Sequence, residues 1–162
     1  MIEVRNVYKS FNGKEVLKDI SFTFEAGKTN LIIGQSGSGK TVLMKSVIGI
    51  HQVDRGQILY NGRDFTKMSN KDISLLRQEI GMLFQGSALF DSMTVLENVR
   101  FPLDMFSDET EDEKDRRARF CLERVELSHA VDLYPSEISG GMQKRAAIAR
   151  AIVLNPKYLF CD

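Results

Sequence analysis

Gly34-Gln35-Ser36-Gly37-Ser38-Gly39-Lys40-Thr41 has the spacing G-x-x-x-x-G-K-T, in which backbone and side chains share the chemistry. Its glycines let the chain curl tightly, so that consecutive N–H groups converge on an anion. A helix opening at Gly39 would add the positive end of its dipole and its unpaired N–H groups. Lys40 is then placed to reach the terminal phosphates of a nucleotide, and Thr41 to offer its hydroxyl to Mg2+. The context supports this. The apolar run at residues 29–33 precedes the loop, and residues 42–48 follow with the composition of a buried helix. Strand, glycine-rich turn and helix in that order make a phosphate cradle. The stretch implies a nucleotide-phosphate site.

Other residues could complete that site. Phe11 stands just before Asn12-Gly13, a strong hairpin signal between the apolar runs 2–8 and 16–24, and is a candidate face for stacking adenine. Gln85 follows abruptly on Ile80-Gly81-Met82-Leu83-Phe84, whose unbroken apolar character suits a parallel strand covered on both faces. Ser139 is a natural N-cap for the helix-forming run 144–152, and Gly140 and Gly141 allow close approach to the backbone. Asp162 ends Tyr158-Leu159-Phe160-Cys161, read as a buried strand. Ligands of open α/β sheets gather at the carboxyl ends of strands, so Asp162 is expected to face the loop at Gly34.

The elements that must position these residues are legible in part. Residues 2–24 read as an antiparallel hairpin feeding a third strand at 29–33 through the turn at 26–28, and 57–60 as a further strand before Asn61-Gly62. Ser69 with Asp72, and Thr94 with Glu97, have capping-box spacing, and Pro102 is expected to limit the helix behind Thr94. Acids at 107–115 followed by Arg116, Arg117, Arg119 and Arg124 suit a helix dipole. Ala118, Cys121, Leu122 and Val125 recur on one face of that helix. Residues 88–135 therefore read as a mainly helical insertion between α/β halves.

The chain has 162 residues, 43% hydrophobic and 27% charged, which is ordinary globular composition. Lys+Arg and Asp+Glu balance at 22 each, leaving no electrostatic footprint for nucleic acid or anionic lipid. No apolar run approaches the roughly 20 residues of a spanning helix, so a membrane role would run through partners. The N-terminal residues lack the apolar core of a signal peptide. Cys121 and Cys161 each lie in an apolar segment and are expected to fill core positions in a reducing, cytoplasmic setting. His51 and His129 read as solvated or capping residues.

Taken in order, the phosphate loop, Gln85 at a strand end, Ser139-Gly140-Gly141 and the strand ending in Asp162 resemble the nucleotide-binding domain of ATP-binding cassette (ABC) proteins. The resemblance spans residues 2–162. It implies an α/β P-loop NTPase fold of ABC type, with an N-terminal antiparallel β subdomain, an incomplete RecA-like parallel core and an inserted helical subdomain. The expected boundaries are 1–87, 88–138 and 139–162. It also implies that Phe11 stacks on adenine and that Gly34, Ser36, Gly37, Ser38, Gly39, Lys40 and Thr41 form Walker A. Gln85 becomes the Q-loop glutamine that senses Mg2+, γ-phosphate and the transmembrane partner. Ser139, Gly140 and Gly141 become the signature motif, and Asp162 the Walker B aspartate on Mg2+. Lys40 and Gln85 are the catalytic candidates; Thr41, Gln85 and Asp162 are those for the metal. The implied cofactors are ATP and Mg2+. A head-to-tail homodimer closing on ATP is expected at the cytoplasmic face of the inner membrane, bound to integral permease subunits, with no nucleic acid.

The wording from Phe84 to Val99, with Leu133-Tyr134-Pro135-Ser136-Glu137 before the signature, looks like the Mla-type ATPase subunit, which implies phospholipid traffic in the cell envelope. The signature departs from L-S-G-G-Q, with Ile138 for Leu and Met142 for Gln. The family pattern continues beyond Asp162 with a glutamate general base and a switch histidine, so the chain is expected to be the front of a longer domain. A module that binds nucleotide without turnover, and a non-transport ABC protein, are the alternatives.

Overall fold

The computed structural model describes residues 1–162, which divide into two units, Met1–Leu75 and Leu76–Asp162. In the first unit, β1 (Ile2–Phe11) and β2 (Lys14–Phe24) form the expected hairpin, and Asn12 and Gly13 both take positive φ, 49° and 77°. That is the primed turn whose twist matches the flanking strands. β3 (Arg55–Tyr60) and the short β4 (Arg63–Asp64) complete one antiparallel sheet in the order β2-β1-β3-β4. An irregularity between Val4 and Val7, with Asn6 at φ 48°, shifts burial along β1 from even to odd positions. Asn6 is held there by bonds from its N–H to Ser21 Oγ and from its Nδ2 to Asp19 Oδ1, both 2.8 Å. Helix α1 (Lys40–Val47) buries Leu43, Met44 and Val47. The buried Tyr60 hydroxyl donates to Val47 O at 2.9 Å, tying β3 to the end of α1.

Residues 29–33, expected as a third strand, form none. Leu31 and Ile33 are 79% and 85% exposed. A strand exists only through a ladder, and the four-stranded sheet of this unit does not include the run. Asn30 instead closes a local turn, its Nδ2 donating to Glu25 O and Lys28 O and its Oδ1 accepting from Glu25 N–H.

Helix α2 (Asn70–Gln78) carries the chain into the second unit. There β5 (Ile80–Leu83) and β6 (Tyr158–Cys161) pair in parallel, from Ile80 opposite Tyr158 to Leu83 opposite Cys161. The parallel pairing is as the sequence suggests, but β6 is only half covered: Leu159 and Cys161 are exposed, so Cys161 is no core residue. Cys121 is buried as expected. Helices α3 (Val95–Phe106), α4 (Glu111–Arg124) and α5 (Gly140–Ile152) pack around Val95, Val99, Leu103, Ala118, Leu122, Leu127, Ala146 and Ala149.

Pro102 does not limit α3, which runs on to Phe106. An interior proline costs about 3 kcal/mol. Here the turn beyond it is retained because Leu103 is buried and its carbonyl accepts from Ser107 N–H at 2.9 Å. Thr94 and Glu97 form the full capping box expected of them, and Thr110 and Glu113 form a second. The backbone N–H of Thr94 and of Thr110 donates to its glutamate at 2.7 and 2.8 Å, which holds both carboxyls below the ordinary value of 4.5. A depressed folded-state value means the contribution is complete above pH 4.5 and is lost as pH falls through the lowered values. Acid titration followed by circular dichroism is therefore expected to show helix loss beginning below pH 4.5. The E97Q/E113Q double variant should show a shallower loss, and an identical profile would sink the assignment.

Candidate functional site

In the first unit the phosphate loop is folded around its own lysine. Lys40 Nζ donates to Gly34 O and Gln35 O, both at 2.8 Å, and Ser38 N–H donates to Gln35 O at 3.2 Å. Gly37 and Gly39 take φ of 77° and 97°, a region that L side chains avoid. Two of its glycines also have close neighbours. A Cβ at Gly34 would lie 2.8 Å from Ser38 Oγ, and one at Gly39 would lie 3.2 to 3.3 Å from Val16 and Leu17. Gly39 caps α1 without a side-chain bond, so the positive end of the helix stays open toward the loop. Ser36, Ser38 and Thr41 are exposed on its surface. A lysine already turned onto loop carbonyls, in a glycine cradle at an uncapped helix start, fits a polyphosphate.

Phe11 lies at the end of β1 and is 38% exposed. His51, expected to be solvated or capping, instead meets it edge-on, with ring centroids 5.2 Å apart and planes at 73°. The His51 N–H donates to Lys45 O at 3.1 Å, so the aromatic pair is fixed to the same helix that opens at the phosphate loop. Asp54 secures the neighbouring strand: Lys9 Nζ and Ser10 N–H donate to it at 2.8 and 2.6 Å and hold its carboxyl below the usual carboxylate range. Phe11 and the loop thus belong to one unit.

In the second unit the parallel register sends Gln85 and Asp162 out of the same carboxyl edge, since Leu83 lies opposite Cys161. Both are exposed, and Asp162 N–H donates to Leu83 O at 3.0 Å. Ser139 caps α5 as expected, its Oγ accepting from Met142 N–H at 3.3 Å, with Gly140 and Gly141 exposed beside it. Nothing crowds Gly140: a Cβ there would find no atom within 4 Å. His129 is exposed in a short turn of 3-10 helix, as read.

Sequence reasoning missed two residues that shape this edge. Asn98, fully buried on α3, accepts from Phe90 N–H at 2.7 Å and donates to Phe90 O, Met93 O and Thr94 O at 3.0 Å each. Arg150 on α5 donates to Ser87 O and Ala88 O. An isolated polar residue in an apolar helical pattern was the only sequence signal for Asn98; nothing marked Arg150. A groove of about 460 Å³, lined by Met82, Phe84, Phe90, Phe101 and Phe106 with Arg77 and Arg150, runs along this part of the unit.

Thr41 in the first unit, and Gln85 and Asp162 in the second, each carry a side-chain oxygen of the type a small hard divalent cation takes. A family model described as ABC transporter matches residues 17–162. The methionine import ATP-binding protein MetN of Clostridium acetobutylicum is 38% identical over 162 residues, covering 100% of this chain and 50% of that protein. The probable ribonucleotide transport ATP-binding protein mkl of Mycobacterium tuberculosis is 40% identical over 161 residues, covering 99% and 45%. The chain spans about half the length of the curated relatives it matches. A solved dimeric ATP-binding cassette in a post-hydrolysis state, bound to ADP and Pi, superposes with a TM-score of 0.90 at 29% identity, covering 100% of this chain and 73% of that one.

Proposed function

The chain belongs to the ABC transporter family, and we propose that it is the ATP-binding part of a transporter subunit that hydrolyses ATP to drive phospholipid movement. The observation that carries the reading is the phosphate loop, with Lys40 drawn onto its carbonyls at an uncapped helix start.

In this reading Phe11 stacks on adenine, while Gly34, Ser36, Gly37, Ser38 and Gly39 present N–H groups and hydroxyls to the phosphates. Lys40 turns its ammonium from the loop carbonyls to the β- and γ-phosphate oxygens. Thr41, Gln85 and Asp162 would hold Mg2+, which would supply positive charge against the charge developing on the phosphates. Ser139, Gly140 and Gly141 present an anion-binding helix start to the nucleotide of a second copy, in a head-to-tail dimer. The dimeric state of the solved relative supports this arrangement. No helix is long and apolar enough to cross a membrane. Integral permease subunits would be its membrane partners. The groove lined by Phe84, Phe90, Phe101 and Phe106 supports a permease contact there. The subunit would then sit at the cytoplasmic face of the inner membrane. The internal boundaries at 87 and 138 are proposed on the same basis.

The lipid assignment is supported by the wording of residues 84–99 and 133–137. Its test is the ATPase rate of the full-length protein with its permease in vesicles. Phospholipid cargo is expected to raise that rate several-fold, with methionine and ribonucleotides inert. Stimulation by either of those two instead would overturn the lipid assignment and leave the ATPase reading in place.

A further inference from the structure

The segment after Gln85 is held in a conformation its own residues disfavour. Ser87 and Ala88 both take left-handed φ, 59° and 50°, although neither is glycine. Each such residue costs about 1 kcal/mol or more, so two in succession need an external hold. Local bonds are few: Ser87 N–H donates to Phe84 O at 3.1 Å and Ala88 N–H to Gly86 O at 2.6 Å. Beyond the segment, Phe90 is clamped to α3 by Asn98.

The hold comes from α5. Arg150 Nη1 donates to Ala88 O at 2.7 Å and Nη2 to Ser87 O at 2.8 Å, a fork closing on the carbonyls of the two left-handed residues. Its guanidinium lies 6.0 Å from the Phe90 ring. Burial pushes its proton affinity down from the ordinary value, and no carboxylate pairs with it. A half-buried cation compensated only by carbonyls of one loop is costly to place unless the loop needs it. Arg150 lies on the helix that Ser139 opens, and Gln85 lies two residues before the first carbonyl it holds.

We propose that Arg150 is a positioning residue that couples helix α5 to the Gln85 loop, fixing Gln85 through the carbonyls of Ser87 and Ala88. A shift of α5, when its start engages a phosphate, then moves Gln85 with it. The inference rests on the reading of Gln85 as the residue that senses the γ-phosphate.

The test uses full-length protein carrying R150K, R150M, Q85A, and R150K combined with A88G. Loss of the fork is expected to lower kcat about tenfold while KM for ATP changes less than twofold, since the phosphate loop is untouched. Amide exchange at residues 86–88 in nucleotide-free protein should rise about tenfold in R150K. A88G removes the left-handed penalty at residue 88 alone, so it should return part of the loss in kcat. Unchanged kcat and exchange in R150K and R150M, with Q85A impaired, would overturn the role of Arg150 alone. A general fall in melting temperature with no rescue by A88G would also overturn it, leaving Arg150 as packing. A silent Q85A would remove the reading of Gln85, and the proposal with it.

Discussion

K40A in the full-length protein is expected to lower ATP turnover by about 100-fold or more, the loss that follows removal of one charge-stabilising donor from a reaction centre. The ammonium makes two 2.8 Å bonds to Gly34 O and Gln35 O, which draw the loop closed around the place a phosphate would take. Alanine removes the charge proposed to meet the γ-phosphate and also leaves those two carbonyls without their donor. The effect on the fold should be small, because Lys40 is the first residue of α1 and alanine is the better helix former. Circular dichroism should therefore be unchanged while ATP titration and steady-state hydrolysis both collapse. K40R is expected to fail as well, since a planar guanidinium does not retrace the contacts of a compact ammonium. Wild-type turnover in K40A would remove the phosphate loop from the mechanism.

G81A is expected to destabilise the second unit by about 3 kcal/mol, at the upper end of what one overpacking methyl does. Gly81 is buried in β5, and its φ is ordinary; the obstacle is space. An added Cβ would come within 3.0 Å of Ala151 O and to 2.9 Å from Pro156 Cγ, with Leu159 Cδ1 at 3.1 Å. Ala151 O belongs to the backbone of α5, so relief requires moving the helix that carries Ser139 and Arg150 off the strand that leads to Gln85. G86A is the control: a Cβ there meets nothing within 4 Å, and its stability should stay within about 0.5 kcal/mol of wild type. Urea denaturation reads both. Equal midpoints for G81A and wild type would show that α5 and β5 are not packed as described.

The two experiments probe parts of the molecule that were unequally legible. The loop centred on Lys40 could be read from eight consecutive residues, because positive-φ glycines, a lysine and a helix start act within one turn of chain. The Asn12-Gly13 hairpin, the Thr94 box and the Ser139 cap were legible for the same reason: donor and acceptor lie within a few residues. The fold class came from the resemblance carried by the phosphate loop, Gln85, Ser139-Gly140-Gly141 and Asp162 in that order.

What tertiary structure alone decided lies where the partner is distant. Residues 29–33 have strand composition, yet a ladder partner makes a strand and the sheet of this unit provides none. Pro102 carries a local stop signal that the burial of Leu103 overrides. Cys161 is apolar in context but lies on the open face of a two-stranded sheet. Arg150 reaches carbonyls 62 and 63 positions away, and its fork closes on the left-handed Ser87 and Ala88. Short-range bonds are written in composition and spacing because few conformations compete within a turn. Long-range ones depend on which side chains burial brings together, and no local pattern records that.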